Sequence, residues 1–335
     1  MSFSHQAYGL RIRSDLPIPG LLIHRKTGFD IRVWLTAPPA ISLKFRDQNA
    51  ELWYKSPYHD QDGNPTLQAW KLRGRSHYKL RYSDGIEFIV DALGNDVWGS
   101  WPSDMTVEDT AVYLLGPILG FVLRLRGTTC LHSSVICVDN RAVALAGPAG
   151  SGKSTTAAGF AKIGYSILAD DVAALTEQGD SFTVQPAYPH LRLWPNSVSI
   201  LYGHPGALPK LVPASLSWDK RYLSLSSNGN RFQQHPLPLA AIYILDERSD
   251  DPDAPFIEDM SPSHGTMALV ANTYANYLLD RLLRAREFAL LSRLASSIPL
   301  RRVVPHSDSA LLPNLCQTIL SDLRRIEVIQ QRYLE

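Results

Sequence analysis

Cysteine is scarce in this chain, which has Cys130, Cys137 and Cys316, an odd and scattered set without C-x-x-C spacing. That set excludes a disulfide framework and a cysteine-built zinc site, and leaves free thiols in a reducing compartment as the expectation. An excess of one charge is also missing: 33 Lys and Arg face 32 Asp and Glu, for a formal net charge of +1. No electrostatic footprint for nucleic acid or an anionic membrane follows from that balance. Long apolar runs are absent too. The longest, AVYLLGPILGFVL at residues 111–123, falls short of the ~18 residues that span a bilayer and contains Gly116, Pro117 and Gly120. It predicts a buried, kinked helix. The opening residues MSFSHQAYGLRIRSD lack a charged-then-apolar leader pattern, so a cytoplasmic location is expected.

What remains is an ordinary folding composition, 45% hydrophobic and 19% charged over 335 residues, long enough for two domains or one large elaborated domain. Residues 6–104 alternate with period two in YGLRIRS, FDIRVWLT, ISLKFR, ELWYKS, HYKLRYS and IEFIVDA, with SDG and GND turns between runs. Antiparallel strands and hairpins are expected there. Thr106 and Asp109 make a capping box before the apolar run, so a helix is predicted over 105–127. The texture then changes to strand (CLHSSVICVD), strand (RAVALAG), Gly-rich loop, helix (GKSTTAAGFAKIG) and strand (YSILAD). The division predicted is a β-rich module at 1–104, a connecting helix at 105–127 and an α/β catalytic domain at 128–335. LAAIYILDE reads as a strand buried on both faces, and helices are expected at 276–296 and 311–330, their leucines in the core.

The segment Gly147, Pro148, Ala149, Gly150, Ser151, Gly152, Lys153, Ser154, Thr155 is a phosphate-binding loop in its proper setting, between an apolar strand and a helix. The glycines let successive N–H groups turn toward phosphate oxygens, and the helix adds its positive end. Lys153 is placed for the β- and γ-phosphates, and Ser154 offers a hydroxyl to Mg²⁺. Asp170 and Asp171 end the next strand, 17 residues beyond Lys153, where this arrangement delivers acids to the nucleotide. One carboxylate suffices for a metal; a second can take a proton from a hydroxyl. Either alone also suits a helix cap. On residues alone His132 is as much a structural histidine as a functional one. Arg192 in HLRLWP, and Lys220 and Arg221, suit solvated loops equally well, although phosphoryl transfer needs cations around the transferred group.

Residues 131–175, LHSSVICVDNRAVALAGPAGSGKSTTAAGFAKIGYSILADDVAAL, resemble the catalytic core of the HPr kinase/phosphorylase family, bacterial serine kinases unrelated to eukaryotic protein kinases. A histidine 21 residues before the loop Lys and an Asp pair 17 after it carry the resemblance. It implies Asp170 as general base for an acceptor serine, Asp171 and Ser154 on Mg²⁺, and His132 supporting the catalytic acid. Departures are visible: HLRLWP stands where the family usually carries a metal-supporting Glu, and Thr155 where the loop is usually followed by Glu. LRLWP, VANTY and the β-rich front half look more like the HPr kinase-like enzymes beside peptide-tailoring genes, which include kinases that phosphorylate a C-terminal serine of lasso-peptide precursors. The missing Glu predicts a kinase with little phosphorylase activity.

The leading expectation is therefore an ATP- and Mg²⁺-dependent kinase acting on a serine of a peptide or small protein. Asp170, His132, Lys153 and Arg192 carry catalysis in that expectation, with Lys220 and Arg221 toward the substrate. Alternatives are a small-molecule kinase, a bifunctional HPr kinase/phosphorylase or a P-loop regulatory ATPase. No N-K-x-D or T-K-x-D segment that would read guanine is present. A homo-oligomer is compatible with the sequence, which does not reveal oligomeric state.

Overall fold

The structure is a computed structural model that describes residues 2–24, 28–36, 50–72, 76–179, 181–212, 219–227 and 229–332. It is a mixed α/β chain in two compact units, one of Met1–Thr128, Val212–Leu216 and Ala275–Asp280, the other of Thr129–Leu211, Ser217–Tyr274 and Arg281–Glu335.

In the first unit, period-two segments form β1 (Phe3–Ala7), β2 (Leu10–Ser14), β3 (Ile31–Trp34), β4 (Glu51–Lys55), β5 (Leu67–Leu72), β6 (His77–Tyr82), β7 (Glu87–Asp91) and β8 (Asp96–Ser100). They make one sheet in the order β1-β2-β3-β8-β7-β6-β5-β4. From β4 to β8 the neighbours are antiparallel, as expected. β3 is the exception, parallel to both β2 and β8. Alternation fixes which face a side chain takes but not strand direction, and the connection at 15–30 is long enough for a crossover. The strand expected at ISLKFR lies outside the described residues.

The predicted capping box is present: Thr106 Oγ1 accepts from the Asp109 N–H at 3.3 Å, and Asp109 Oδ2 accepts from the Thr106 N–H at 2.8 Å. It opens α1 (Val107–Tyr113). Pro117 has no N–H to donate, and the helix widens over Leu114–Ile118 before resuming as α2 (Leu119–Leu125). The Tyr8 hydroxyl donates to the Leu115 carbonyl at 2.7 Å, and Phe121 meets Tyr78 edge-on, so this helix is buried against its own unit's sheet.

The second unit holds β9 (Thr129–Leu131), β10 (Ser133–Val138), β11 (Arg141–Ala146), β12 (Ser166–Ala169), β13 (Ala173–Gln178), β14 (Ser181–Val184), β15 (His190–Leu193), β16 (Arg221–Ser224), β17 (Arg231–Phe232), β18 (Leu237–Leu245), β19 (Phe256–Asp259) and β20 (Leu300–Val304). Its helices are α3 (Lys153–Lys162), α4 (Pro195–Tyr202), α5 (Pro262–Ala271), α6 (Arg281–Ser297) and α7 (Leu312–Arg332). The main sheet runs β17-β12-β10-β11-β18-β14-β13-β9, with β20 also on β18, and β15 pairs with β16 as a separate ribbon. β18 lies parallel to β11 on one side and to β20 on the other, which explains its nearly unbroken apolar run.

Two expectations need correction here. CLHSSVICVD is not one strand: it breaks at His132, whose N–H donates to the Asn272 carbonyl at 2.7 Å, so β9 pairs with β13 while β10 pairs with β11 and β12. And α6 starts only at Arg281, with Leu291 and Leu294 fully buried but Leu282 60% exposed. Leucines at helical spacing mark a core only on the face that meets one.

Between sheet and α7, α3 buries Ala157, Ala158, Phe160 and Ala161 against Leu315, Cys316, Ile319 and Leu323. Asp322 on α7 ties this layer to the sheet, accepting from the Tyr243 hydroxyl at 3.1 Å, Arg301 Nε at 3.2 Å and Arg325 at 2.7 Å. All three cysteines are free thiols. Among the described residues no helix is long and apolar enough to cross a membrane.

Candidate functional site

The phosphate loop joins β11 to α3, and its shape depends on two glycines in particular. Gly147 has φ +145°, and a Cβ there would stand 2.6 Å from the Leu245 carbonyl of β18. Gly152 has φ +100°, the left-handed turn that lets α3 begin at Lys153. Lys153 is buried rather than facing solvent: its ammonium donates to the carbonyls of Gly147 at 2.8 Å and Pro148 at 2.9 Å. A cation inside a tight loop has to be hydrogen-bonded, and these two carbonyls supply its partners. Burial depresses the Lys153 ammonium below its ordinary value, against the opposing pull of Asp171 and Asp170. The Ser151 hydroxyl is buried without a partner among the described residues.

β12 delivers Asp170 and Asp171, and the chain turns sharply between them. The Val172 N–H donates back to the Asp170 carbonyl at 2.8 Å, and Asp171 takes φ +68°. Left-handed backbone costs a non-glycine residue roughly 1–2 kcal/mol, though Asp tolerates it better than most. The turn sends adjacent carboxylates to different partners. Asp170 is buried; its Oδ1 accepts from Ser154 Oγ at 2.8 Å and Ser134 Oγ at 2.6 Å, and its Oδ2 from the Arg192 N–H at 3.1 Å. Asp171, partly exposed, has Oδ1 3.5 Å from His132 Nε2 and Oδ2 accepting from the Tyr274 hydroxyl at 3.2 Å.

The two acids thus have different neighbours. Asp170, expected as the base, lies against the loop serine, while Asp171, expected on the metal, lies with the histidine. Spacing alone is symmetric between adjacent residues; the left-handed turn at Asp171 breaks that symmetry. Burial would raise the Asp171 carboxyl, but the charges of His132, Arg192 and Lys220 and the Tyr274 hydrogen bond outweigh it and hold Asp171 below the usual carboxylate range. Burial pulls the His132 imidazole below its ordinary value against the Asp171 charge.

The cations divide. The backbone of Arg192 on β15 holds Asp170, while its guanidinium lies 5.5 Å from the Tyr188 ring centre and close enough to stabilise the Asp171 charge. Ribbon pairing sets Arg221 opposite Leu193, which brings Lys220 to the Trp194 ring at 5.1 Å and into the field of Lys153, His132 and Asp171. Arg221 instead pairs with Asp219 at 2.8 Å. Thr155 Oγ1 meets Ser197 Oγ at 2.7 Å, away from the acids. Sequence reasoning missed Ser134 and Tyr274 as contributors. Their only signals were the second serine of LHSS and the tyrosine of VANTY, the segment whose Asn272 carbonyl also holds the His132 backbone.

His190, two residues before Arg192, supplies a pH test of this region's stability. Burial, and then the Arg192 charge, lower its imidazole from 6.5 to about 4. Above pH 6.5 it is neutral in both folded and unfolded chains; between 6.5 and about 4 only the unfolded chain takes up the proton, so stability is lost as pH falls through that window. The loss is at most about 3 kcal/mol. Urea midpoints of wild type and His190→Gln at pH 7.5 and 4.5 check it: the wild type is expected to lose more, and equal losses would contradict it.

No protein-family model and no curated protein matches this chain. A solved structure, the Hpr(Ser) kinase/phosphatase from Coxiella burnetii, matches 61% of this chain and 96% of that chain at 13% identity and a TM-score of 0.34. A likeness at that level decides nothing about activity, which rests on the site's own geometry.

Proposed function

We propose that the chain is an ATP-dependent phosphotransferase of the P-loop type that transfers the γ-phosphoryl group to a serine hydroxyl of a peptide or small protein. The observation that carries this reading is the division of the acids: Asp170 on the phosphate-loop serine, Asp171 on His132 and Tyr274. Ser154 Oγ and Asp170 Oδ1, 2.8 Å apart at the head of α3, are hard oxygen donors of the kind Mg²⁺ takes. When bound there, Mg²⁺ would supply neutralisation of phosphate charge.

The chain's own residues do the rest. Loop N–H groups and Lys153 hold the phosphates, the ammonium exchanging its loop carbonyls for phosphate oxygens. As the acceptor oxygen bonds to the γ-phosphorus, the bond from that phosphorus to the β–γ bridging oxygen breaks, and ADP departs with the electron pair. Asp171 takes the hydroxyl proton, oriented by Tyr274 and His132. Lys220 and Arg192 stabilise charge on the transferred group. The sequence resemblance supports a peptide acceptor, a lasso-peptide precursor ending in Ser being the first to try, and a cytoplasmic setting goes with it.

Incubation with γ-labelled ATP, Mg²⁺ and serine-ended peptides tests the reading. Label on peptide is the expected result. Free phosphate alone, with every hydroxyl acceptor present, would overturn it in favour of a regulatory ATPase.

A further inference from the structure

Helix α6 turns one face inward, with Glu287, Leu291, Leu294 and Ala295 buried, and leaves the opposite face uncovered, with Leu282 60% and Phe288 51% exposed. We infer that this outward face is the docking surface for an acidic, apolar segment of the peptide acceptor. That the docked peptide is the acceptor rests on the phosphotransferase reading.

Uncompensated charge is the first reason. Over the whole sequence cations and acids balance, 33 against 32, yet Arg281, Arg284 and Arg286 stand exposed close together, and no ion pair or hydrogen bond reaches their guanidinium groups among the described residues. Arg293, further along the helix, is committed to Glu177 through bonds of 2.6 and 2.8 Å, and Glu287 is buried on the inner face. Carboxylates brought by a partner would supply what the three arginines lack.

The second is arrangement. Helical periodicity lines up Arg281, Arg284 and Phe288 in one row and Leu282 and Arg286 in another, with only the exposed Ala285 and Ala289 between them. Basic and apolar side chains share each row, so α6 has no purely apolar face of the kind that lies in a membrane. The pattern suits a chain segment that carries Asp or Glu beside Leu, Ile or Phe.

The third is what adjoins this face. The line of Ala285 and Ala289 continues through Ser292 and Ser296 into a cavity of about 320 Å³ between the end of α6 and the β13–β14 hairpin, lined also by Glu177, Gly179 and Phe182. Cavities of roughly 300–1,000 Å³ hold small ligands, so this one has room for an anchoring side chain of the docked segment. Glu177 lies six residues beyond Asp171, a chain distance of at most about 20 Å. A peptide fixed on α6 thus needs on the order of six extended residues to bring its serine to the acids.

The test uses the whole chain and two synthetic peptides ending in Ser, identical except that the Glu residues set among leucines in one are Lys in the other. Fluorescence anisotropy without nucleotide reads binding, and transfer from γ-labelled ATP reads kcat and KM. The inference expects the Glu peptide to bind at least about tenfold more tightly than the Lys peptide, three exposed charge pairs contributing a few-fold each, and to weaken as salt is raised. Arg281→Glu, Arg284→Glu and Arg286→Glu combined in one variant, and Leu282→Ala with Phe288→Ala in a second, should each raise KM for the Glu peptide and leave kcat unchanged. Both variants alter exposed side chains, and melting curves check that they fold. Equal binding of the two peptides, or undiminished affinity for the Glu peptide in the folded arginine variant, would overturn the inference. Uptake of the wild type by phosphatidylserine vesicles with no preference between the peptides would also overturn it and give the face to a membrane. Selective binding of the Glu peptide without any label transfer would bring down the phosphotransferase reading, and with it the docked peptide's role as acceptor, while the acidic-peptide site on α6 stands.

Discussion

Lys153→Ala is expected to cut phosphoryl transfer and ATP hydrolysis by at least about 10²–10³-fold, the scale on which one preorganised charge-stabilising donor acts. The ammonium donates directly to two phosphate-loop carbonyls, at 2.8 and 2.9 Å, and alanine leaves nothing in its place to follow the phosphates as charge develops. Because Lys153 is buried and bonded, a structural cost accompanies the kinetic one. Two loop carbonyls lose their partner, worth about 1–3 kcal/mol if water cannot replace it. Melting temperature and label transfer therefore have to be measured on the same preparation. A folded variant with wild-type turnover would refute the assignment of this loop to the nucleotide.

Asp171→Asn is expected to lower transfer to the acceptor by roughly 10²–10⁴-fold while leaving ATP binding intact, since the amide keeps the shape but cannot take the proton. Asp170→Asn should act differently. Its carboxylate accepts from Ser154, so its loss should raise the Mg²⁺ concentration needed for half-maximal rate. Rates measured against Mg²⁺ in both variants separate the roles. If Asp170→Asn stays slow at saturating Mg²⁺ and Asp171→Asn recovers, the order expected from the sequence resemblance is restored.

These two acids also show where sequence reading stops. That the Asp170–Asp171 pair comes to the glycine-rich loop was legible from the apolar strand before it and its distance from Lys153. Which acid meets the serine was not, because it depends on one backbone angle, φ +68° at Asp171, and on where β10 and the 272–274 segment lie. Lys220 and Arg221 looked alike as neighbouring cations; strand pairing with β15 turned one toward the acids and tied the other to Asp219.

By itself the sequence determined what local chemistry dictates: the glycine-rich loop between strand and helix, the Thr106–Asp109 cap, the buried run of β18 and the period-two front unit. Each depends on residues close together in the chain, where turn geometry, capping and alternation act without outside help. Tertiary structure alone decided the crossover that makes β3 parallel to its neighbours, the break of a strand at His132, the burial of Lys153 and the different partners of the two acids. Those features arise from contacts between segments tens to more than a hundred residues apart, such as Asp171 with Tyr274 and Asp170 with Ser134, which packing selects and periodicity does not encode.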